Sequence, residues 1–287
     1  MKFNLDCVDY IERKNMYKTL ELDITDGIAA VSLNRPEKHN AINFDMFREL
    51  GEVGEHLKSI NEVRAVILSG KGKSFCAGID LSEMGKLTQD GSFDEMALTP
   101  LPGSESNFFQ RAATIWYDIP VPVITSVHGI CFGGGTQICL GSDIRVAHPD
   151  TRFSIMELKW GIIPDMGIST TLPRLTSYDK AMELTMTNRE FLAKEAFDLG
   201  VVTKISNDPK KDSKAIAKNI LNKSPDAIIQ LKKLYKKAWS TERGQLLKLE
   251  ANLQTTLMGG ENQMEAISAN FGQRDPHFKP VKSHIKN

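Results

Sequence analysis

Hydrophobic and polar residues change period several times along the chain, and each change marks an element. From Tyr17 to Ile24 they alternate, Asp26-Gly27 interrupts, and Ile28 to Leu33 is apolar and β-branched. Alternation on either side of an Asp-Gly pair predicts two strands joined as a hairpin. The polar segment Asn34 to Asn40 predicts a loop. The period then becomes helical: Met46, Leu50, Val53 and Leu57 share one face of a helix that Asn43 caps and that runs to about Ile60. Arg64 to Ser69 predicts a short buried strand, closed by Gly70-Lys71-Gly72.

Residues 85–104 mix Gly, Pro and Ser and predict a long, partly mobile loop. Phe108 to Tyr117 reads as a helix that Pro120-Val121-Pro122 ends. A strand over Val123 to Val127, a Gly-rich turn, an apolar helix over 134–141, and short strands at 143–147 and 152–155 follow. A repeated strand–strand–helix unit is α/β in character. Beyond about residue 190 the strands nearly vanish. Ala193 to Leu199 is helical, Val201 to Ile205 is a short strand, and three amphipathic helical stretches run to Phe271. Asn207-Asp208-Pro209 divides an α/β core, 1–206, from a helical region, 207–287. That helical region needs a surface, either its own core or a neighbouring subunit.

Composition narrows the possibilities. The 287 residues are 41% hydrophobic and 25% charged, enough to build a large core without staples. Lys plus Arg and Asp plus Glu are 36 each, so the chain lacks the basic excess of a general nucleic-acid binder. The 4 cysteines, at 7, 76, 131 and 139, form no C-x-x-C pair and predict reduced thiols in a cytoplasmic protein. Met1 to Lys18 is charged without an apolar core, no apolar run approaches ~18 residues, and Ser283 to Asn287 matches no targeting signal.

Several chemistries are excluded by motif. There is no G-x-x-x-x-G-K-[ST], no G-x-S-x-G and no H-E-x-x-H, and Ile138 stands where a dinucleotide fingerprint from Gly133 needs glycine. The scattered histidines predict no metal site.

Three short segments remain. Ser74-Phe75-Cys76-Ala77-Gly78-Ile79-Asp80-Leu81 and the run from His128 to Gln137 each follow a strand. Their small residues expose backbone N–H groups, and a helix starting at Gly134 presents unpaired ones. Two such donors aimed at one point form an oxyanion hole; the alternative is two tightly packed turns. In the third segment Glu157 lies among Ile155, Met156, Leu158 and Trp160. It is either a solvent-facing residue at a helix start or a partly desolvated acid/base with a raised pKa. Asp165, after Pro164, is a candidate N-cap.

Taken together these segments closely resemble the crotonase superfamily, the enoyl-CoA hydratase/isomerase family. The matches are Asn34-Arg35-Pro36 with Asn40-Ala41, the F-C-A-G-I-D-L run, V-H-G-x-x-x-G-G-G followed by Ser142 to Arg145, F-x-x-x-E-x-x-x-G-I-I-P, and Ala193 to Val202. Their order and spacing agree over roughly residues 17–272. The resemblance implies a spiral of ββα units with a C-terminal helical trimerisation region, assembled as homotrimers or hexamers. It implies an acyl-CoA thioester as substrate, with coenzyme A part of that substrate and no separate cofactor. By motif position, the amides of Ala77 and Gly134 would hold the thioester oxygen. Lys38, Ala41, Gly78, Ile79, Asp80 and Leu81 would line the coenzyme A arm, and Gly135 the acyl chain.

Within that resemblance, hydratases use two glutamates. Glu157 matches the second, but Gln137 stands at the first, and an amide neither gives nor takes a proton near neutral pH. A single carboxylate suits moving a proton along the acyl chain, as in Δ3,Δ2-enoyl-CoA isomerases. The A-G-I-D-L run, the long 85–104 segment and Asp165 are similar to the Δ3,5,Δ2,4-dienoyl-CoA isomerases, in which an aspartate at the Asp165 position pairs with the glutamate. Those enzymes also carry an aspartate where this chain has Gln137. The expectation is therefore an enoyl- or dienoyl-CoA isomerase with Glu157 as acid/base, Asp165 its partner and Gln137 a neutral orienter. A hydratase, an acyl-CoA hydrolase and a catalytically altered acyl-CoA- or RNA-binding member are the alternatives. The run Lys232 to Lys237 reads as a solvated helix face, with Leu231, Leu234 and Tyr235 inward and the lysines outward. A coenzyme A phosphate contact and RNA come after that.

Overall fold

The computed structural model describes residues 17–83 and 92–281. The expectations about the leader, Cys7, residues 85–91 and the last five residues lie outside that range. The first hairpin, β1 (Leu20–Thr25) and β2 (Ile28–Leu33), pairs Thr25 with Ile28 across Asp26 and Gly27, at φ 51° and 77°. Positive φ at both central residues lets a two-residue turn follow the strand twist. α1 (Phe44–Ser59) starts where expected: Asn43 Oδ1 accepts from Met46 N at 3.0 Å, and Met46, Leu50, Val53 and Leu57 are buried. β3 (Ala65–Gly70) is buried throughout and pairs in parallel with β2 and with β4 (Val123–Val127), as a strand covered on both faces must be.

Part of the expected loop at 85–104 is helical. α2 (Ser92–Leu98) packs Phe93 on Phe109, with ring centroids 5.5 Å apart, and Met96 and Ala97 on the core. α3 (Phe108–Asp118) follows a capping box between Asn107 and Gln110. It crosses α1 closely, because a Cβ on Gly54 would sit 2.0 Å from Ile115.

The chain next runs through β5 (Ile130–Phe132), α4 (Gly134–Leu140), β6 (Ile144–Ala147) and β7 (Arg152–Ser154). A 3-10 turn (Glu157–Trp160), α5 (Ile168–Thr171), α6 (Tyr178–Thr187), β8 (Phe191–Leu192), α7 (Ala193–Asp198) and β9 (Lys204–Ile205) follow. The main sheet runs β1-β2-β3-β4-β6-β9 and a smaller one β5-β7-β8. Strand-then-strand-then-helix turns wound into two sheets are the spiral expected.

Among its described residues the helical region holds four helices, not three: α8 (Pro209–Leu221), α9 (Pro225–Lys237), α10 (Arg243–Leu257) and α11 (Glu261–Phe271). Gly259 at φ 73° separates the last two. α8 lays Ile216, Ala217, Ile220 and Leu221 on Ile28, Ala65, Ile67, Ile124 and Val146, the second face of the main sheet. α9 corrects the expected lysine face. Lys232 is buried and its ammonium donates to Val121 O at 2.9 Å and Asp143 Oδ2 at 2.6 Å, while Leu231 and Tyr235 are exposed. The long lysine stem reaches carbonyls that end α3 and precede β4, so the polar contact fixes which side faces in.

One buried side chain ties the loops ahead of the site. Asn40 is 0% exposed and donates to the carbonyls of Lys71, Ser74 and Phe75 at 2.9, 2.8 and 3.1 Å, and its Oδ1 accepts from Arg35 N at 2.9 Å. Asn40→Ala orphans these groups, and each unsatisfied buried group costs about 1–3 kcal/mol. Urea unfolding is expected to show a loss on the order of 3 kcal/mol with the m-value unchanged.

Candidate active site

Two backbone crossings assemble the site. A Cβ on Gly129, at φ 62°, would lie 2.0 Å from Lys73 O, so only glycine lets the chain after β4 pass the loop after β3. The two stretches then bond as a short ladder: Phe75 N to His128 O (2.8 Å), Cys76 N to Ile130 O (3.0 Å) and Phe132 N to Cys76 O (3.0 Å). Gly78 (φ 92°) ends 3.7 Å, measured from its ideal Cβ, from Gly134 N. The two Gly-containing loops therefore converge, as the sequence suggested.

The amide expected at Ala77 is not free, however. Ala77 N–H donates to His39 O at 2.9 Å, and Gly78 N–H faces the Cys76 sulfur. The unpaired amide is Ile79. Ile42 N donates to Gly78 O (2.8 Å) and Asp80 N to Ile42 O (2.9 Å), which turns Ile79 N–H to the opposite side, where it takes no backbone acceptor. Gly134 N–H, the first of α4, likewise has none. The two amides without a backbone acceptor at this convergence are thus Ile79 and Gly134. Motif position pointed to Ala77; the alternation of amide directions along an extended segment points two residues on.

Both amides border a cleft of about 150 Å³ whose other walls are Leu81, Gln137, Met156, Trp160, Ile162 and Met166, with Glu157 and Asp165. Glu157 is buried on the 3-10 turn. Its Oε1 accepts from Gln137 Nε2 at 2.6 Å, and its Oε2 has no partner. Burial pushes its carboxyl above the usual range and the charge of Asp165 adds to this, while its own backbone amide, the Gln137 hydrogen bond and the Met156 amide oppose it. The solvent-facing alternative for Glu157 is therefore set aside. Gln137 is buried as well, and Met166 N–H donates to its Oε1 at 2.8 Å.

Asp165 stands at the cleft mouth, reached by water on one side yet desolvated enough that its carboxyl is also raised. It is not a helix cap, since Gly167 at φ 88° precedes α5.

Other expected contacts lie off the cleft lining. Lys38 is exposed on the turn Pro36–Lys38, and Ala41 O accepts from Arg35 Nη1 at 2.5 Å. Asp80 is held ionised by the Ser82 hydroxyl and by Arg35 Nη2 at 3.0 Å. Gly135 faces the 76 loop and not the cleft: a Cβ there would meet Cys76 O at 2.6 Å. Its smallness serves close packing of α4.

A larger cleft, about 580 Å³, lies between α3 and α9. Its lining carboxylate, Asp143, is paired with Lys232, and its Arg174 donates to the Tyr117 hydroxyl (2.8 Å). Among the described residues no cluster could hold a metal, and no helix is long and apolar enough to cross a membrane.

Residues 23–281 match the model of the enoyl-CoA hydratase/isomerase family. The chain belongs to that family. It is 32% identical over 270 residues to the peroxisomal Delta(3,5)-Delta(2,4)-dienoyl-CoA isomerase of Arabidopsis thaliana, covering 91% of this chain and 97% of that one. It is 32% identical over 254 residues to the mitochondrial Delta(3,5)-Delta(2,4)-dienoyl-CoA isomerase of Mus musculus, covering 85% and 76%. Its fold superposes on a putative enoyl-CoA hydratase from Streptomyces coelicolor A3(2) with a TM-score of 0.84 at 28% identity, over 92% of this chain and 94% of that one. The crotonase fold and membership of an enzyme family acting on acyl-CoA thioesters are thereby established.

The position of Cys76 beside the donor loop has a measurable side. The thiol is 0% exposed and burial pushes it up to about 12. A thiolate is the reactive form, so native protein should leave Cys76 unmodified by a thiol reagent, with or without acyl-CoA. Peptide mapping by mass spectrometry should find it labelled only after unfolding.

Proposed function

We propose that this enzyme shifts a double bond along an enoyl- or dienoyl-CoA thioester. The Ile79 and Gly134 amides hold the thioester oxygen as negative charge develops on it, a role for which each donor is worth ~10²–10³-fold in rate. Glu157 takes a proton from one carbon of the acyl chain and returns it to another. The carrying observation is the Gln137–Glu157 hydrogen bond at 2.6 Å. It fills the position of a second carboxylate with a group that cannot activate water, and leaves one carboxylate oxygen for chemistry. Asp165 tunes that carboxylate by its charge alone. The likeness to the Arabidopsis and mouse dienoyl-CoA isomerases supports the same reading. Homotrimers or hexamers are proposed with it: Met264, Ile267 and Phe271 of α11 are exposed, Phe271 at 87%, and such apolar patches mark contact surfaces.

Incubation with 3-enoyl-, 3,5-dienoyl- and 2-enoyl-CoA, followed by ultraviolet absorption, tests the reaction. Double-bond migration in the first two is expected; hydration of 2-enoyl-CoA without migration would overturn it. Glu157→Gln should lower the migration rate ~10²–10⁴-fold, the usual share of a general acid/base. The same variant should unfold at equal or higher urea at pH 7, since a buried carboxylate with a raised pKa opposes folding once ionised.

The pH profile follows with its sign. A base must be deprotonated, so the rate should fall as pH drops through the Glu157 pKa. That midpoint should lie above the ~4.3 of a free glutamate.

A further inference from the structure

We propose that Gln137 is a positioning residue that confines the transferable proton of Glu157 to Oε2, so that a proton taken from the acyl chain is handed back to it and not lost to water. This rests on the reading of Glu157 as the acid/base.

The orientation of the amide is fixed by chemistry. Met166 N–H can only donate, so the Gln137 atom 2.8 Å from it is the oxygen. The amide NH₂ must then face Glu157, and an NH₂ only donates. Glu157 Oε1 is thereby obliged to accept. A proton on Oε1 would leave only the weaker lone pair of a hydroxyl to accept the 2.6 Å amide hydrogen bond, so protonation is favoured on Oε2, whose lone pairs carry no such bond.

Oε2 is buried and has no partner among the described residues. Glu157 lines the cleft, the space proposed for the acyl chain. The step balances without a co-reactant. A substrate C–H bond breaks, its electron pair forms the extended enolate, and the proton joins Oε2. An electron pair of the enolate then forms the new C–H bond at the distal carbon, the thioester C=O and the shifted C=C are restored, and the O–H pair stays on Oε2, which is again a carboxylate oxygen.

The charged surroundings are few. α4 contributes no titratable side chain other than the buried Cys139. From the 76–81 loop comes Asp80, paired with Arg35. From α6 comes Glu183, paired with Arg189, along with exposed Asp179 and Lys180. Lys159 shares the Glu157 turn and is exposed. Among the described residues Asp165 is the other carboxyl lining the cleft; it makes no hydrogen bond to Glu157 and faces the mouth. The Gln137 amide thus fixes which oxygen works, and its donated hydrogen bond stabilises the ionised base.

Two readouts test this. The first needs no substrate: the titration of Glu157 followed by NMR in protein carrying carbon-13 at the glutamate carboxyls, assigned by the resonance lost in Glu157→Gln. Gln137→Met keeps length and removes the donor. It should raise the Glu157 midpoint by about 1–2 pH units, the value of one hydrogen bond to a charged group. Gln137→Glu retains an acceptor for Met166 N–H, so it should fold. It should also raise the midpoint, as two carboxylates compete for one charge. Unmoved midpoints would overturn the proposal.

The second is a single turnover of substrate deuterated at the abstracted carbon, in ordinary water. Most of the label should reappear at the distal carbon with wild type and wash out with Gln137→Glu, whose second carboxyl offers the proton another site. Complete wash-out with wild type would overturn the proposal. If Glu157→Gln migrates double bonds at the wild-type rate, the underlying reading fails. If that variant is inactive and wild type loses the label, only the confinement fails.

Discussion

Everything at the site depends on two stretches of backbone touching. Residues 73–79 and 128–134 come from different turns of the spiral, and their amides must lie within a few ångströms to act on one oxygen. No side chain fits between them at Gly129 or Gly135, where a Cβ would lie 2.0 and 2.6 Å from a carbonyl. The ladder through Cys76 and Ile130 holds the crossing, and the buried Asn40 holds one of its loops from behind. Polar groups satisfied inside the core take up the amides of Phe75, Cys76, Ala77, Phe132 and Gly133 and leave those of Ile79 and Gly134 without a backbone acceptor at the cleft.

The carboxylate depends on the same economy of partners. A carboxylate in an apolar wall is unfavourable, and Glu157 is kept there by the Gln137 hydrogen bond and by the backbone amides of its own turn. A second donor to Oε2 would relieve the burial cost, and would also lower the basicity that proton abstraction needs. The unsatisfied oxygen is where stability and reactivity pull in opposite directions.

Much of this was legible in the sequence because the signals are local. Asp26-Gly27, Asn43 and the Met46–Leu57 face specify their own elements, and the Gly-rich run announces close approach. The helix α2 was not legible: its apolar residues Phe93, Met96 and Ala97 look like loop composition until Phe109 is there to receive them. The face of α9 was misread for a related reason. Periodicity ranks Leu231 and Tyr235 as inward, but three acceptors near the end of α3 and in Asp143 draw Lys232 in instead. The shift of the donor from Ala77 to Ile79 needed the His39 carbonyl, far along the chain. Glu157 and Gln137 were legible as residue types, while their contact and the pinning by Met166 N–H required the fold.

The covering of the main sheet by α8 bears on how the chain is made. Ile28, Ala65, Ile67, Ile124 and Val146 form an apolar face that stays open until residues 209–221 arrive to close it. Synthesis from the N-terminus therefore delivers strands long before their lid. For that interval the nascent chain presents a wet hydrophobic sheet, the kind of surface that chaperones shield and that aggregates capture. Arg64, whose guanidinium grips the Leu221 and Lys223 carbonyls at 2.9 and 2.8 Å, acts as the latch at the end of that wait. A chain stopped short of α8 is left with one side of its sheet unfinished, whatever the state of its catalytic loops.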